Sequence, residues 1–208
     1  MKTLICSDTH LAGIFDEAKY SYLHALFSSY DQIIMNGDFW DGYEIRFEKF
    51  IKTRWSGLFA LMKQKKTIYL YGNHDKKEWT KNANLFSVSQ HDNFNLTVGK
   101  VQLFIEHGHR LSPSFDITYP KLSYLLSSIF SSKRFRLGNE VRGWENMQMK
   151  RHAAENLSQN QILVCGHSHI PENNPKNHYI NTGFIENGIA SYISISGTSI
   201  KLVTETYG

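Results

Sequence analysis

The chain has 208 residues, 41% hydrophobic and 20% charged, which suffices for one sizeable core and excludes a disordered chain. Lysines and arginines number 23 against 19 acids, a net charge of +4, compatible with an anionic substrate but without the concentrated basic stripe of a polyanion binder. Two cysteines cannot make a disulfide framework, and no apolar run approaches the ~18 residues of a membrane span.

Residues 4–6 are a short apolar run ending in a polar turn and predict a buried strand. Residues 16–29 follow with helical spacing (Ala18, Tyr22, Ala25, Leu26, Ser29), and 32–35 form a second apolar strand stopping at Asn36-Gly37. Residues 44–64 carry Ile45, Phe47, Phe50, Ile51, Leu58, Leu61 and Met62 and predict a helix broken near Gly57. Residues 67–71 form a third strand ending in Gly72-Asn73. Strands alternating with helices argue for βαβ units and an α/β class. Residues 94–98 and 101–105, joined by Gly99-Lys100, predict a hairpin. Residues 119–157 read as helical, and 161–165 as a strand running into Gly166-His167. The tail (179–181, 189–195, 198–204) reads as all-β, its last two strands joined at Ser196-Gly197. No repeat, low-complexity tract or long linker interrupts the chain. One domain over 1–208 is expected, with a helical insert at about 111–160. Cys6 and Cys165 read as small buried hydrophobes on strands of one core, where they could meet.

Five motifs carry the chemistry: Asp8-Thr9-His10, Gly37-Asp38-Phe39-Trp40-Asp41, Gly72-Asn73-His74-Asp75, His107-Gly108-His109 and Gly166-His167-Ser168-His169. Asp8, Asp38, Asn73, His107 and His167 each follow a predicted strand, and in open α/β sheets the site lies beyond the carboxyl ends of the strands. Carboxylate, imidazole and amide oxygen without thiolate suit Mn²⁺, Fe, Zn²⁺ or Mg²⁺. Asp38 is the best candidate to bridge two ions, since a carboxylate has two oxygens with lone pairs to spare. His107, His167 and His169 must be neutral to ligate. His109 reads equally as a group that binds a substrate phosphate, one that supports a ligand, or a half-exposed loop residue.

In this order the motifs resemble those of the calcineurin-type metallophosphoesterases, from Asp8 to His169. The resemblance implies an α/β (α+β) fold, a four-layer α/β/β/α sandwich with mixed sheets and the ligands on loops at one edge. It implies two divalent ions, Mn²⁺ being expected and Fe or Zn²⁺ the alternatives. Asp8, His10, Asp38 and His169 would hold one, and Asp38, Asn73, His107 and His167 the other. The implied activity is hydrolysis of a phosphoester or diphosphate bond by a metal-activated water. His74 then faces the scissile phosphate rather than a metal, and Asp75 or Asp41 orients neighbouring side chains, with Asp41 almost as readily a structural loop residue.

The helical insert and Asn181-Thr182-Gly183 leading into a β tail further resemble the UDP-2,3-diacylglucosamine pyrophosphatase branch, which acts on a lipid-linked nucleotide sugar. The chain departs from that branch at His74, where Arg is usual, at His109, where Asp is usual, and at Ile170, where Arg is usual. A small anionic phosphorylated substrate is expected, and no stable nucleic-acid partner. The alternatives are a scaffold that kept the fold and lost the chemistry, as in the retromer subunit that resembles this family, or a nuclease. The opening apolar stretch is too short for a signal peptide, and its removal would take Asp8 and His10, so a cytoplasmic protein is expected, touching a membrane at most peripherally. The insert, with Leu122, Tyr124, Leu125, Leu126, Ile129 and Phe130 before Lys133, Arg134 and Arg136, is expected to bear on substrate choice.

Overall fold

The structure is a computed structural model that describes residues 1–112 and 131–208, with side chains from Glu140 onward in the second stretch. The insert's residues from Leu122 to Phe130 and the side chains of Lys133, Arg134 and Arg136 lie outside the described residues.

Two sheets stack face to face. The first runs β10 (Ile185–Glu186), β11 (Ile189–Ser196), β1 (Lys2–Cys6), β2 (Gln32–Asn36), β3 (Ile68–Leu70), β4 (Ser89–His91), with β12 (Ser199–Thr206) paired to β11. The second runs β5 (Asn93–Val98), β6 (Val101–Glu106), β7 (Gln161–Cys165), β9 (Tyr179–Asn181), β8 (Glu172–Asn174). Strands β1 to β4 are mutually parallel, as are β6, β7 and β9, whereas β11 is antiparallel to β1. Both sheets are therefore mixed.

Alternation along the strands sorts side chains into layers. Ile5, Ile34, Ile68, Leu70, Leu103, Ile105, Val164 and Ile193 meet between the sheets. Leu4, Cys6, Ile33 and Met35 face the other way, against α1 (Glu17–Ser28), α2 (Phe47–Phe50) and α3 (Phe59–Gln64). Leu163, Cys165 and Tyr179 pack on Met149 and Ala153 of α4 (Ser131–Asn156). The result is the expected α/β/β/α sandwich. Each fully buried Leu or Ile contributes about 1.5–3 kcal/mol of burial free energy. The same alternation parts the two cysteines. Cys6 and Cys165 lie on opposite outer faces of the sandwich, each a buried free thiol, so they do not meet.

Helix α1 starts where Asp16 caps the Lys19 amide at 2.9 Å, and its buried face is Lys19, Leu23, Leu26 and Phe27, one residue round from the face the spacing predicted. The predicted 44–64 helix is three short pieces, with a 3₁₀ segment at Arg54–Leu58 between α2 and α3. The hairpin of β5 and β6 forms as predicted. Strands β4, β8 and β10 are not legible in the sequence; each is two or three residues long and stands at an end of its sheet's strand order. Among the described residues no helix is long and apolar enough to cross a membrane.

Candidate metal centre

The parallel strands of both sheets end at one rim. Asp8 follows β1, Asp38 follows β2, Asn73 follows β3, His107 follows β6 and His167 follows β7. At that rim the backbone reverses sharply. Asp8 (φ 53°), His10 (42°), Asp38 (52°), His167 (66°) and His169 (56°) all adopt the left-handed conformation. Outside glycine this costs roughly 1–2 kcal/mol per residue. Such strain persists where surroundings over-determine it, as at functional sites. Two glycines permit the loops to stack. A Cβ at Gly37 would sit 2.5 Å from His107 Nδ1, and a Cβ at Gly72 would strike the Asp38 carboxylate.

The loops of the first sheet bind one another through their backbones. The Asp8 amide donates to the Gly37 carbonyl (3.1 Å), and the His10 amide to that of Asp38 (3.0 Å). Asp75 receives the Phe39 and Gly72 amides, both at 2.7 Å, joining the second and third motifs. The His74 amide donates to Asp38 Oδ1 at 2.9 Å. The buried Lys19 ammonium donates to the Thr9 carbonyl and holds the first motif from α1. One bond joins the loops of the second sheet and another crosses to the first sheet. The Gly166 amide donates to the His107 carbonyl (3.0 Å), and the His167 amide to Asp8 Oδ2 (3.0 Å).

The side chains converge on two buried carboxylates. Asp8 Oδ1 lies 3.1 Å from His169 Nε2 and 3.8 Å from His10 Nε2. Asp38 Oδ2 lies 3.1 Å from His107 Nε2 and 3.8 Å from His10 Nε2. His10 Nε2 and His169 Nε2 face each other at 3.2 Å, and His107 Nε2 is 3.1 Å from Asn73 Oδ1. The other ring nitrogen of His107 lies 2.9 Å from the Asn36 carbonyl. A carbonyl can only accept, so Nδ1 carries a proton, and when the ring is neutral it is Nε2, on the Asp38 side, that has the free lone pair.

These residues suit cations. The ligand atoms of Asp8, His10 and His169, and those of Asp8, Asp38 and His107, lie within 4.8 Å of one another in each set. Asp8 Oδ1 is buried with no hydrogen-bond partner; His169 stands near it but out of alignment. A buried carboxylate oxygen without a donor is costly unless a cation meets it. The charge balance agrees. Burial opposes a charged His107, yet Asp38 and Asp8 outweigh it and hold the ring up at about 10. Burial opposes His10 likewise, and Asp8 and Asp38 hold it at about 9. Without metal, protons thus occupy positions where the carboxylates demand positive charge. Burial, reinforced by His107, pushes His167 down to about 3, so its ring is neutral and its lone pair available.

His74 belongs to a third set whose ligand atoms lie within 4.8 Å of one another, with His10 and Asp41. Its Nδ1 is 3.1 Å from Asp41 Oδ2, its ring lies edge-on to His10 at 4.5 Å, and Tyr43 packs against it at 4.9 Å. Asp41 Oδ2 also lies 3.8 Å from His10 Nδ1. Asp41 therefore touches site side chains, whereas Asp75 acts on backbone amides, reversing the weight the sequence reading gave them. His109 lies 5.5 Å from the His107 ring, with Nδ1 buried and no hydrogen-bond partner, and burial pushes it down to about 4. It belongs to the rim of the site rather than to the open surface.

Sequence reasoning missed Lys19, Glu145 and Asn146. Lys19 shares the buried face of α1 at i, i+4 spacing with Leu23, a signal that a solvated charge would not give. Glu145 and Asn146 are buried charged and polar residues on α4, with Glu145 Oε1 3.6 Å from His167 Nε2.

Residues 1–191 match the calcineurin-like phosphoesterase superfamily domain. Among solved structures, Yfce, a phosphoesterase from E. coli, is 18% identical over 98% of this chain and 98% of that one, with a TM-score of 0.51. A Thermotoga maritima protein is 18% identical over 99% and 98% of the two chains, also at 0.51. Vps29 from Entamoeba histolytica, complexed with zinc, is 13% identical over 99% of each chain, at 0.47. No curated protein matches the sequence. The family match spans all five motifs and nearly the whole sandwich: this chain belongs to the calcineurin-like phosphoesterase superfamily.

Proposed function

We propose that this protein is a dinuclear metal-dependent hydrolase of a phosphoester or diphosphate bond. The observation that carries this is the pair of buried carboxylates, Asp8 and Asp38, ringed by His10, His107 and His169 with an orphaned oxygen facing inward. Asp8, His10, Asp38 and His169 would hold one ion, and Asp38, Asn73, His107 and His167 the other. The ions, of which Mn²⁺ is the first to test, supply charge that acidifies water and offsets the charge of a phosphoryl group.

The chain's own residues do the rest. His107 is locked in the ligating tautomer by Asn36, and His74 sits beside the ligands without being one. Asp41 Oδ2 lies 3.1 Å from Nδ1 of His74, on the edge opposite the Nε2 that would meet a phosphoryl oxygen or the leaving oxygen. A separate open cleft of about 450 Å³ lies past β3 and β4, lined by Tyr71, Lys77, Gln90, His91, Asp92 and Asn93, none of them a candidate ligand. A nucleotide sugar or a lipid-linked diphosphate is the substrate class to screen first, given the helix that follows the fourth motif.

The test is metal analysis of purified protein followed by a hydrolysis screen with Mn²⁺ across monoesters, diesters and nucleotide diphosphates. Two ions per chain with turnover of at least one class is the expected result. Two ions with no turnover of any class would favour the scaffold reading. No ions at all would remove the dinuclear reading.

A further inference from the structure

Helix α4 is packed inside out where it crosses the rim. Trp144 and Met147 are 46% and 51% exposed, while Glu145 and Asn146 between them are 4% and 5% exposed. Charged residues are almost never buried unless something meets them. One group that Glu145 approaches is His167, whose Nε2 lies 3.6 Å from the Glu145 carboxylate, both side chains being nearly inaccessible. Asn146 anchors the next turn of the same loop. Its Oδ1 receives the Ser168 hydroxyl (3.2 Å), the Tyr179 hydroxyl (2.7 Å) and the Asn181 amide (3.3 Å). Its Nδ2 donates to Glu172 at 2.6 Å, and Asn181 Nδ2 donates in turn to the Gly166 carbonyl at 2.8 Å. The Gly166–His169 loop is thus gripped by one turn of α4.

We propose that Glu145 is a positioning residue of the metal centre, holding the His167 ring so that Nε2 carries the proton and the Nδ1 lone pair faces the ion. This rests on the dinuclear reading of the site. A neutral imidazole has one donor and one acceptor nitrogen, and the partner of one decides the role of the other. Carboxylates beside ligating histidines do this in metal sites generally, and their loss costs about 10–100-fold in metal affinity. His107 receives the same service with the nitrogens exchanged, from the Asn36 carbonyl. The gap of 3.6 Å exceeds a hydrogen bond and His167 Nε2 has no hydrogen-bond partner, so holding the ring this way requires the two groups to draw closer when an ion binds.

The experiment is Mn²⁺ titration of the full chain by calorimetry, with ion content measured on the same samples. Wild type should bind two ions. Glu145→Ala should weaken one of them about 10–100-fold. Glu145→Gln, whose amide oxygen still accepts from Nε2, should stay within about threefold of wild type. In a His167→Ala background, Glu145→Ala should cost little more, because coupled residues are not additive. If Glu145→Ala does not fold, Glu145→Ser replaces it, being too short to reach Nε2. In the Zn²⁺-loaded protein, nitrogen NMR of His167 should report the Nε2–H tautomer. An Nδ1–H tautomer, wild-type affinity in Glu145→Ala, or equal weakening in Gln and Ala variants (a direct ligand) would each overturn the inference. Wild type binding no ion would overturn the dinuclear reading and this inference with it.

Discussion

The two sheets contribute unequal halves to the site. The first supplies both carboxylates, His10 and Asn73, and its loops are tied to each other by backbone bonds such as His10 to Asp38 and by the Asp75 carboxylate. The second supplies His107, His167 and His169. Asn36 fixes His107 from the first sheet, and the Gly166–His169 loop, besides its amide bonds to the His107 carbonyl and the Asp8 carboxylate, takes bonds from Asn181 and from Asn146 on α4. One half is self-supporting, while the other leans on the helix between the fourth and fifth motifs. Local loop geometry can therefore preset the charge of the candidate centre, while its last candidate ligands lie on a loop bonded to an element far along the chain.

If the carboxylate half sets the centre, its loss should be the most damaging change. Asp38→Ala should bind neither ion and lose all metal-dependent turnover, whereas His10→Ala should weaken mainly one ion. Ion content of the purified variants checks this, and full occupancy of two ions in Asp38→Ala would contradict the assignment. The next largest effect should come from a residue outside both ligand sets. His74→Ala should lower kcat about 10²–10³-fold, the usual cost of one transition-state donor, at unchanged ion content. Loss of metal in that variant would make His74 a ligand.

The halves also differ in how readily the sequence discloses them. The strand-end motifs are legible because a polar ligand directly after an apolar run is a local pattern, as at Cys6 to Asp8 or Cys165 to His167. The layered sandwich follows from the same strands. What supports the ligands is less legible. Lys19 and Glu145 are charged helix residues, which alone read as solvated, and only tertiary packing shows them buried. Strands β4, β8 and β10 are short and mostly polar, so pairing with neighbours defines them rather than any pattern of their own. The break-up of 44–64 and the shifted face of α1 are likewise set by which side chains the sheet accepts.

Asp75 should show how much of the self-support lies in one residue. Asp75→Ala leaves the Phe39 and Gly72 amides buried without acceptors, at about 1–3 kcal/mol each, partly offset because burial and the neighbouring Asp38 hold this carboxyl up at about 6. A net loss of about 2–4 kcal/mol is expected, read from the denaturation midpoint at constant m. An unchanged midpoint would place the joint between the second and third motifs elsewhere.

Without metal, the pH response should expose the unpaired carboxylates. Folded His107 and His10 are held up at about 10 and about 9, above the ordinary ~6.5 of an unfolded histidine. Between these values the native state binds more protons, so stability falls as pH rises. The benefit is complete below about 6.5 and lost through about 9 to 10. Chelator-treated protein should therefore melt at lower temperature as pH climbs through that window, and metal-loaded protein much less so. A flat profile without metal would mean that the two rings are not held charged by Asp8 and Asp38.

The smallest effect tests whether the second half leans on the whole helix or on one turn of it. Lys150 Nζ lies 2.9 Å from Glu172 Oε1, with the two side chains 30% and 22% exposed. A partly exposed pair of this kind contributes about 0–1 kcal/mol after screening. Glu172 also keeps the Asn146 and Asn174 amides when the ammonium is gone. Lys150→Ala should thus lower stability by less than about 1 kcal/mol and leave the binding of both ions unchanged, because the loop is held by Asn146, one turn nearer the rim. Weakened binding of one ion in Lys150→Ala would show instead that the His167 half depends on how α4 as a whole is seated on the second sheet.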